Sequence, residues 1–255
     1  MNAVPQRGKC RLCLKDEDLQ ESHFMPAALY PEKKTKTAAT RTTVLPDPEQ
    51  IKAYLLCRTC ETKFNRNGES EVLRWLAAKA PRKNTFPLLD KLKGAPTLAT
   101  LDTAPDLMVH SGPVVGIDMD KFAYFALSVM WRAAVHQWTL PDGTLTSPHD
   151  LGVYEEPIRK FLIEETPFPP ETSVVVTVCT DLLSREHWIT PMFGMEQGCM
   201  TFPFLALGVI FRVWLGSKIP EKIRRACCCS SPDKPIFSTH CDDKTLEVLG
   251  NLSPM

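Results

Sequence analysis

The chain carries no excess of charge of either sign: its 255 residues hold 30 lysines and arginines against 30 aspartates and glutamates. Whole-chain charge therefore points neither toward nor away from an acidic partner. Long hydrophobic runs are scarce. The longest, Phe202 to Gly216, is too short to span a bilayer and contains Arg212, so it reads as buried structure rather than a membrane segment. The first twenty residues lack the apolar core and small-residue cleavage site of a secretory signal, and on that ground the chain is expected to be cytoplasmic, without a membrane partner. No phosphate-binding glycine loop, Rossmann fingerprint or serine nucleophile elbow occurs. No internal repeat is visible, and the acidic residues of the C-terminal half show no paired-carboxylate arrangement.

What is present is a foldable composition, 44% hydrophobic and 24% charged, far from the disordered corner. The charge is unevenly placed. Residues 1 to 93 hold 18 basic against 11 acidic side chains, and residues 94 to 255 hold the remaining 12 against 19. A basic front and an acidic back suggest an N-terminal part that faces nucleic acid.

Ten cysteines in a cytoplasmic chain are better read as metal ligands than as disulfides, where their spacing is regular. Cys10-Arg-Leu-Cys13 and Cys57-Arg-Thr-Cys60 are two C-x-x-C pairs. Each such turn presents two thiolates from one knuckle, and two turns complete the closed tetrahedral set of a structural zinc site. Lys9, Arg11, Arg58 and Lys63 interleave the pairs and suit thiolate ligands. Between the pairs, residues 31 to 48 form a polar stretch with Lys33, Lys34, Lys36 and Arg41, read as a solvated loop. With Arg58, Lys63 and Arg66 these side chains make a basic cluster around the cysteines, suited to phosphate contact.

Beyond Cys60 the pattern predicts a helix interrupted at Asn67-Gly68 and resumed over Glu69 to Ala80. Residues 81 to 117, with several prolines, read as a connector. Asp118 or Asp120 caps a strongly apolar helix reaching roughly to Trp138, and a second helix is predicted from Asp150 to Glu165 with a possible break at Pro157. Ser173 to Thr180, Cys199 to Leu207 and Val209 to Leu215 are rich in β-branched and aromatic residues and predict antiparallel strands. The tail from Pro220 reads as irregular. The fold class expected is α+β: a zinc module over residues 1–80, a connector over 81–117 and a mixed helix and antiparallel-strand domain over 118–255.

The order of a C-x-x-C pair, the segment Ser22-His23-Phe24-Met25-Pro26, and the run Tyr54-Leu55-Leu56-Cys57-Arg58-Thr59-Cys60-Glu61-Thr62-Lys63 resembles the HNH endonuclease family in its four-cysteine form. The match covers about residues 9 to 66. It is also similar to uncharacterised bacterial proteins in which a glutamate replaces the histidine after the last cysteine, and there the likeness extends through the helix holding Ser128 and Arg132. The resemblance implies a treble-clef zinc site supporting a ββα-metal motif. It implies further that Cys10, Cys13, Cys57 and Cys60 hold zinc, that His23 is the general base, and that Glu61 ligates magnesium or manganese. Asn65, one turn after Glu61, shares its face and would support it.

The sequence departs from that pattern twice. Ser22 stands where an acidic metal ligand precedes the histidine, with Glu21 one residue off, and Lys52 stands where an asparagine orients the imidazole, leaving that role to Gln50. Two readings follow: metal-dependent hydrolysis of nucleic-acid phosphodiesters, or a non-catalytic zinc-binding module that binds nucleic acid or a protein partner, the latter through the C-terminal half.

Two further groupings stand out. Ser128, Arg132 and His136 make a polar stripe on the apolar helix, predicting an ion pair of Arg132 with Glu155 or Glu156, the alternative being a phosphate or small-ligand pocket. Cys227-Cys228-Cys229 with His240-Cys241 offers either a second metal site or redox chemistry, and Cys179 and Cys199 read as small core residues.

Overall fold

A computed structural model describes residues 6–30, 39–40, 43–44, 50–76, 86–101, 104–181, 185 and 188–240. β1 (Gln6–Lys9) and β2 (Asp16–His23) form an antiparallel hairpin, and β5 (Lys52–Cys57) pairs antiparallel with β2 to complete a three-stranded sheet. Between β2 and β5 lies the two-residue pair β3 (Ala39–Thr40) and β4 (Thr43–Val44). α1 (Arg58–Phe64) leaves β5 with no loop, because Cys57 is both the last strand residue and the helix N-cap. The predicted interruption at Asn67-Gly68 is a π-helical turn, Asn65–Glu69, which leads into α2 (Ser70–Leu76).

The segment 81–117, expected as a connector, contributes to the body of the protein. It holds α3 (Pro87–Lys93), β6 (Ala99–Leu101), β7 (Ala104–Ser111) and α4 (Gly112–Val115). Its prolines mislead because Pro87 and Pro113 occupy the first turns of α3 and α4, where the missing N–H costs nothing. The long helix α5 (Met119–Val135) follows, with Asp118 Oδ1 accepting from the Lys121 N–H as its cap. α6 (Glu155–Leu162) carries Pro157 in its first turn and is unbroken there.

The remaining elements are β8 (Thr172–Cys179), β9 (Trp188–Ile189), β10 (Gly194–Glu196), β11 (Cys199–Ala206), β12 (Val209–Leu215), α7 (Glu221–Arg225) and β13 (Pro235–Thr239). They build a large sheet of order β10-β11-β12-β8-β13-β7-β6, with β9 on β11. All its pairings are antiparallel except β13 with β8. The tail from Pro220, expected to be irregular, thus supplies the strand that joins β7 to the rest of the sheet. Its alternation of buried and half-buried residues, Pro235 to Thr239, is too short to stand out in the sequence.

α5 is buried on nearly all sides, as its largely apolar composition requires. One side packs on the large sheet, where Phe125 lies 5.2 Å from Phe211 and 6.2 Å from Phe204 between ring centroids. The other side packs on α1, with Phe64 edge-on to Tyr124 and Trp131. Closest approach falls at Gly68, where a Cβ would stand 2.9 Å from the Phe125 amide nitrogen. One apolar cluster runs from Cys10 to Ile236. The described residues of 1–80 and of 118–255, expected as separate domains, therefore share a core.

Candidate metal centre

The first C-x-x-C pair caps the β1–β2 hairpin. Its turn is closed by Leu14 N–H to Cys10 carbonyl and Cys10 N–H to Lys15 carbonyl, with Leu14 in the left-handed region at φ 62°. The second pair straddles the β5–α1 junction. Arg11 N–H donates to the Leu55 carbonyl at 3.1 Å, which docks one pair on the other. The four cysteine Sγ atoms all lie within 4.8 Å of one another, and Cys13 Sγ is 3.9 Å from Cys57 Sγ. A tetrahedral zinc thiolate with bonds of about 2.3 Å needs sulfurs about 3.8 Å apart. The group is thus positioned to hold a metal ion and is compatible with zinc.

Charge is already sorted among these thiols. The hydrogen bond from the Cys60 thiol holds Cys10 down at about 4 against the cost of burial, and the Cys57 N–H adds to this at 3.3 Å. Cys60 is pushed up by the same bond, and Cys57 is pushed up by burial. A bound cation would displace the protons that these sulfurs share.

Support for the knuckle comes from a residue with no signal in the sequence. Arg159 of α6 donates from Nη1 to the Leu12 carbonyl at 2.6 Å, inside the first C-x-x-C turn. Its other nitrogens are held by Glu156 at 2.6 and 2.8 Å. The Glu156 hydrogen bond raises the Arg159 pKa, so the clamp stays charged.

Each expected catalytic residue has a defined place. His23 ends β2, half-buried, with Nε2 at 3.0 Å from Gln50 Oε1. Gln50, expected as the residue to orient this imidazole, is thus in hydrogen-bond contact with it. Tyr30 lies beside it, ring centroids 6.4 Å apart, with its own hydroxyl buried and unpartnered among the described residues. Glu61, in the first turn of α1 directly after Cys60, has Oε1 buried without a hydrogen-bond partner among the described residues. Asn65 departs from expectation: its Oδ1 accepts from the Ser70 hydroxyl in the π turn, so its amide is occupied within the helix rather than turned to Glu61.

Ser22 is fully buried, and its Oγ accepts from the Leu56 N–H at 3.1 Å. The register of β2 on β5 shifts between Gln20 and Glu21, which takes Leu55 out of the ladder, and the serine hydroxyl satisfies the neighbouring amide. A carboxylate there would be buried away from any exposed ion. Glu21 is exposed and lies 3.8 Å from Lys52 Nζ.

Among the basic residues, Arg58 is exposed at the start of α1. Lys63 and Arg66, read as phosphate contacts, instead ion-pair with Glu164 beyond α6. Lys33, Lys34, Lys36 and Arg41 lie outside the described residues. Arg132 forms its ion pair with Glu69 at 2.6 Å rather than with Glu155 or Glu156, because the π turn faces α5 while Glu156 is taken by Arg159. Among the described residues no helix is long and apolar enough to cross a membrane. Compared with protein families, curated proteins and solved structures, the chain matches none.

Proposed function

We propose that the chain is a metal-dependent nuclease acting on nucleic-acid phosphodiesters, built on an HNH-like treble clef whose four cysteines hold structural zinc. The observation that carries this reading is Glu61 Oε1, a buried carboxylate oxygen with no hydrogen-bond partner among the described residues, one residue from a cysteine of the four-thiol group. Leaving such an oxygen unsatisfied costs several kcal/mol, and a divalent cation removes that cost. Magnesium or manganese bound at Glu61 would supply charge stabilisation for the leaving oxygen. His23 fits the partner task, since Gln50 holds its imidazole through Nε2, and with the proton on that nitrogen Nδ1 would take a proton from water. Arg58, exposed on the same helix, and the basic stretch from Lys33 to Arg41 would hold phosphates.

The second reading, a zinc module that binds nucleic acid or protein without cleaving it, is favoured by Ser22. Its hydroxyl is committed to Leu56, so the adjacent position supplies no second carboxylate to a catalytic ion. Plasmid DNA and single-stranded RNA incubated with magnesium, manganese or EDTA separate the two. Wild-type cleavage that needs added metal and disappears in both His23→Ala and Glu61→Gln, with zinc content unchanged in all three, supports the nuclease. One zinc per chain with no cleavage under any condition selects the binding module.

A further inference from the structure

The three consecutive cysteines do not converge as a second metal site. Among the described residues the Cys10, Cys13, Cys57 and Cys60 set is the only such cluster, and Cys228 turns its thiol away toward the Met119 carbonyl at 3.8 Å. The outer two do meet: Cys227 Sγ lies 3.7 Å from Cys229 Sγ. We propose that Cys227 and Cys229 are a redox-active dithiol, which closes to an intramolecular disulfide on exchange with a small disulfide of the glutathione type.

Geometry carries the argument. A disulfide bond is about 2.05 Å long, so closure needs the two sulfurs to approach by less than about 2 Å. The turn between them is anchored on both sides. Cys228 N–H donates to the Val174 carbonyl at 2.8 Å, and Val174 N–H donates back to Cys227 Sγ at 3.4 Å. Residue 228 is thus pinned to β8 and to the start of α5, holding its two neighbours on one side.

The two sulfurs differ in access and in charge. Cys227 is fully buried, whereas Cys229 is half-buried at the edge of the core. Cys227 is lowered to about 5, chiefly by the hydrogen bond from the Cys229 thiol, aided by the Ser230 hydroxyl and the Cys229 and Val174 amides. The same bond pushes Cys229 up, so one proton is shared between a buried sulfur and a less buried one, and either can be freed as the attacking thiolate when that proton moves to the other.

The exchange balances in two steps. Cys229 passes its proton to the Cys227 thiolate and attacks the small disulfide as the thiolate, forming a mixed disulfide and releasing a thiolate that takes this proton from Cys227. The Cys227 thiolate then attacks Cys229 Sγ, closing the Cys227–Cys229 bond and expelling the second thiolate, which takes up a proton. The protein pair loses two electrons and its one thiol proton, and the small disulfide gains these together with a second proton from solvent.

The test uses the full zinc-loaded chain in buffers of oxidised and reduced glutathione, quenched with a maleimide and mapped by peptide mass spectrometry. The expected wild-type product is the Cys227–Cys229 peptide lighter by two hydrogens, reversed by dithiothreitol, with bound zinc unchanged. In Cys227→Ser the glutathione adduct should persist at Cys229, its resolution slowed at least 100-fold. Because Cys227 is buried and that variant can fail to fold, Cys229→Ser is the second arm: it should form neither adduct nor disulfide. A stable adduct on wild-type Cys229, a bond to Cys228 instead, or oxidation only after zinc is lost would each overturn the proposal.

Discussion

Arg132 Nη2 donates to Glu69 Oε1 at 2.6 Å, joining the buried helix α5 to the π turn of the cysteine-bearing segment, with the guanidinium 4.7 Å above the Phe64 ring. Arg132 is 1% exposed, and its Nε and Nη1 have no partner among the described residues. Removing one member strands the other inside, so Arg132→Met should lose about 3–5 kcal/mol. The double variant Arg132→Met, Glu69→Gln should lose clearly less than the sum of the two single changes. Urea unfolding of the three variants measures both quantities. Additive losses would mean that the pair does not couple the two parts of the chain.

The four-thiol site should be the chief support of the N-terminal sheet. Cys13→Ser, or chelation of the wild type, is expected to unfold this region, since binding of a structural metal there is also folding free energy. Arg159→Ala acts one step out, freeing the Leu12 carbonyl while leaving the sulfurs intact. Metal affinity should fall by roughly 10- to 100-fold, read by competition with a chromogenic chelator. An unchanged affinity would confine Arg159 to packing.

Gly68 should tolerate no side chain. A Cβ would meet the Phe125 backbone, at 2.9 Å from N and 3.0 Å from Cα, and backbone cannot rotate away. Gly68→Ala is expected to cost about 1–3 kcal/mol in urea unfolding, although alanine is the better helix former. A gain in stability would show that α5 can slide.

His110 predicts a pH dependence. It is buried in β7 between the Ser238 hydroxyl at 3.2 Å and the Pro96 carbonyl at 3.3 Å, and burial lowers its pKa. The neutral form is favoured in the folded state. Above the unfolded value of about 6.5 both states are neutral and its contribution is full. As pH falls below that value the unfolded chain takes up a proton that the folded chain refuses, and stability declines toward the lower folded pKa. Comparing wild type with His110→Gln by thermal unfolding from pH 8 to 5 isolates this slope. Equal slopes would remove His110 as its source.

Local pattern was enough for much of this protein. The C-x-x-C spacing picked out four cysteines that meet within one thiol cluster, because two residues between ligands is a property of one turn. Asp118 or Asp120 was expected to start α5, and the cap is Asp118; β-branched runs marked β8, β11 and β12 within a residue or so, because period and capping are read over a few neighbours. The α+β class followed from those elements. Gln50 was also named as the residue that could orient His23, and the two are hydrogen-bonded.

Only the tertiary structure decided how these pieces are joined. Pro87 and Pro113 look like connector residues until their place in a first helical turn is known, and the β13 strand exists because β7 and β8 flank it. The choice of Glu69 for Arg132, of Leu12 for Arg159 and of Leu56 for Ser22 depends on separations of 63, 147 and 34 residues. A charge or hydroxyl in a sequence announces that it needs a partner. Which partner it finds is settled by packing, since burial makes each unsatisfied group costly and only the assembled core brings the right atoms within hydrogen-bond reach.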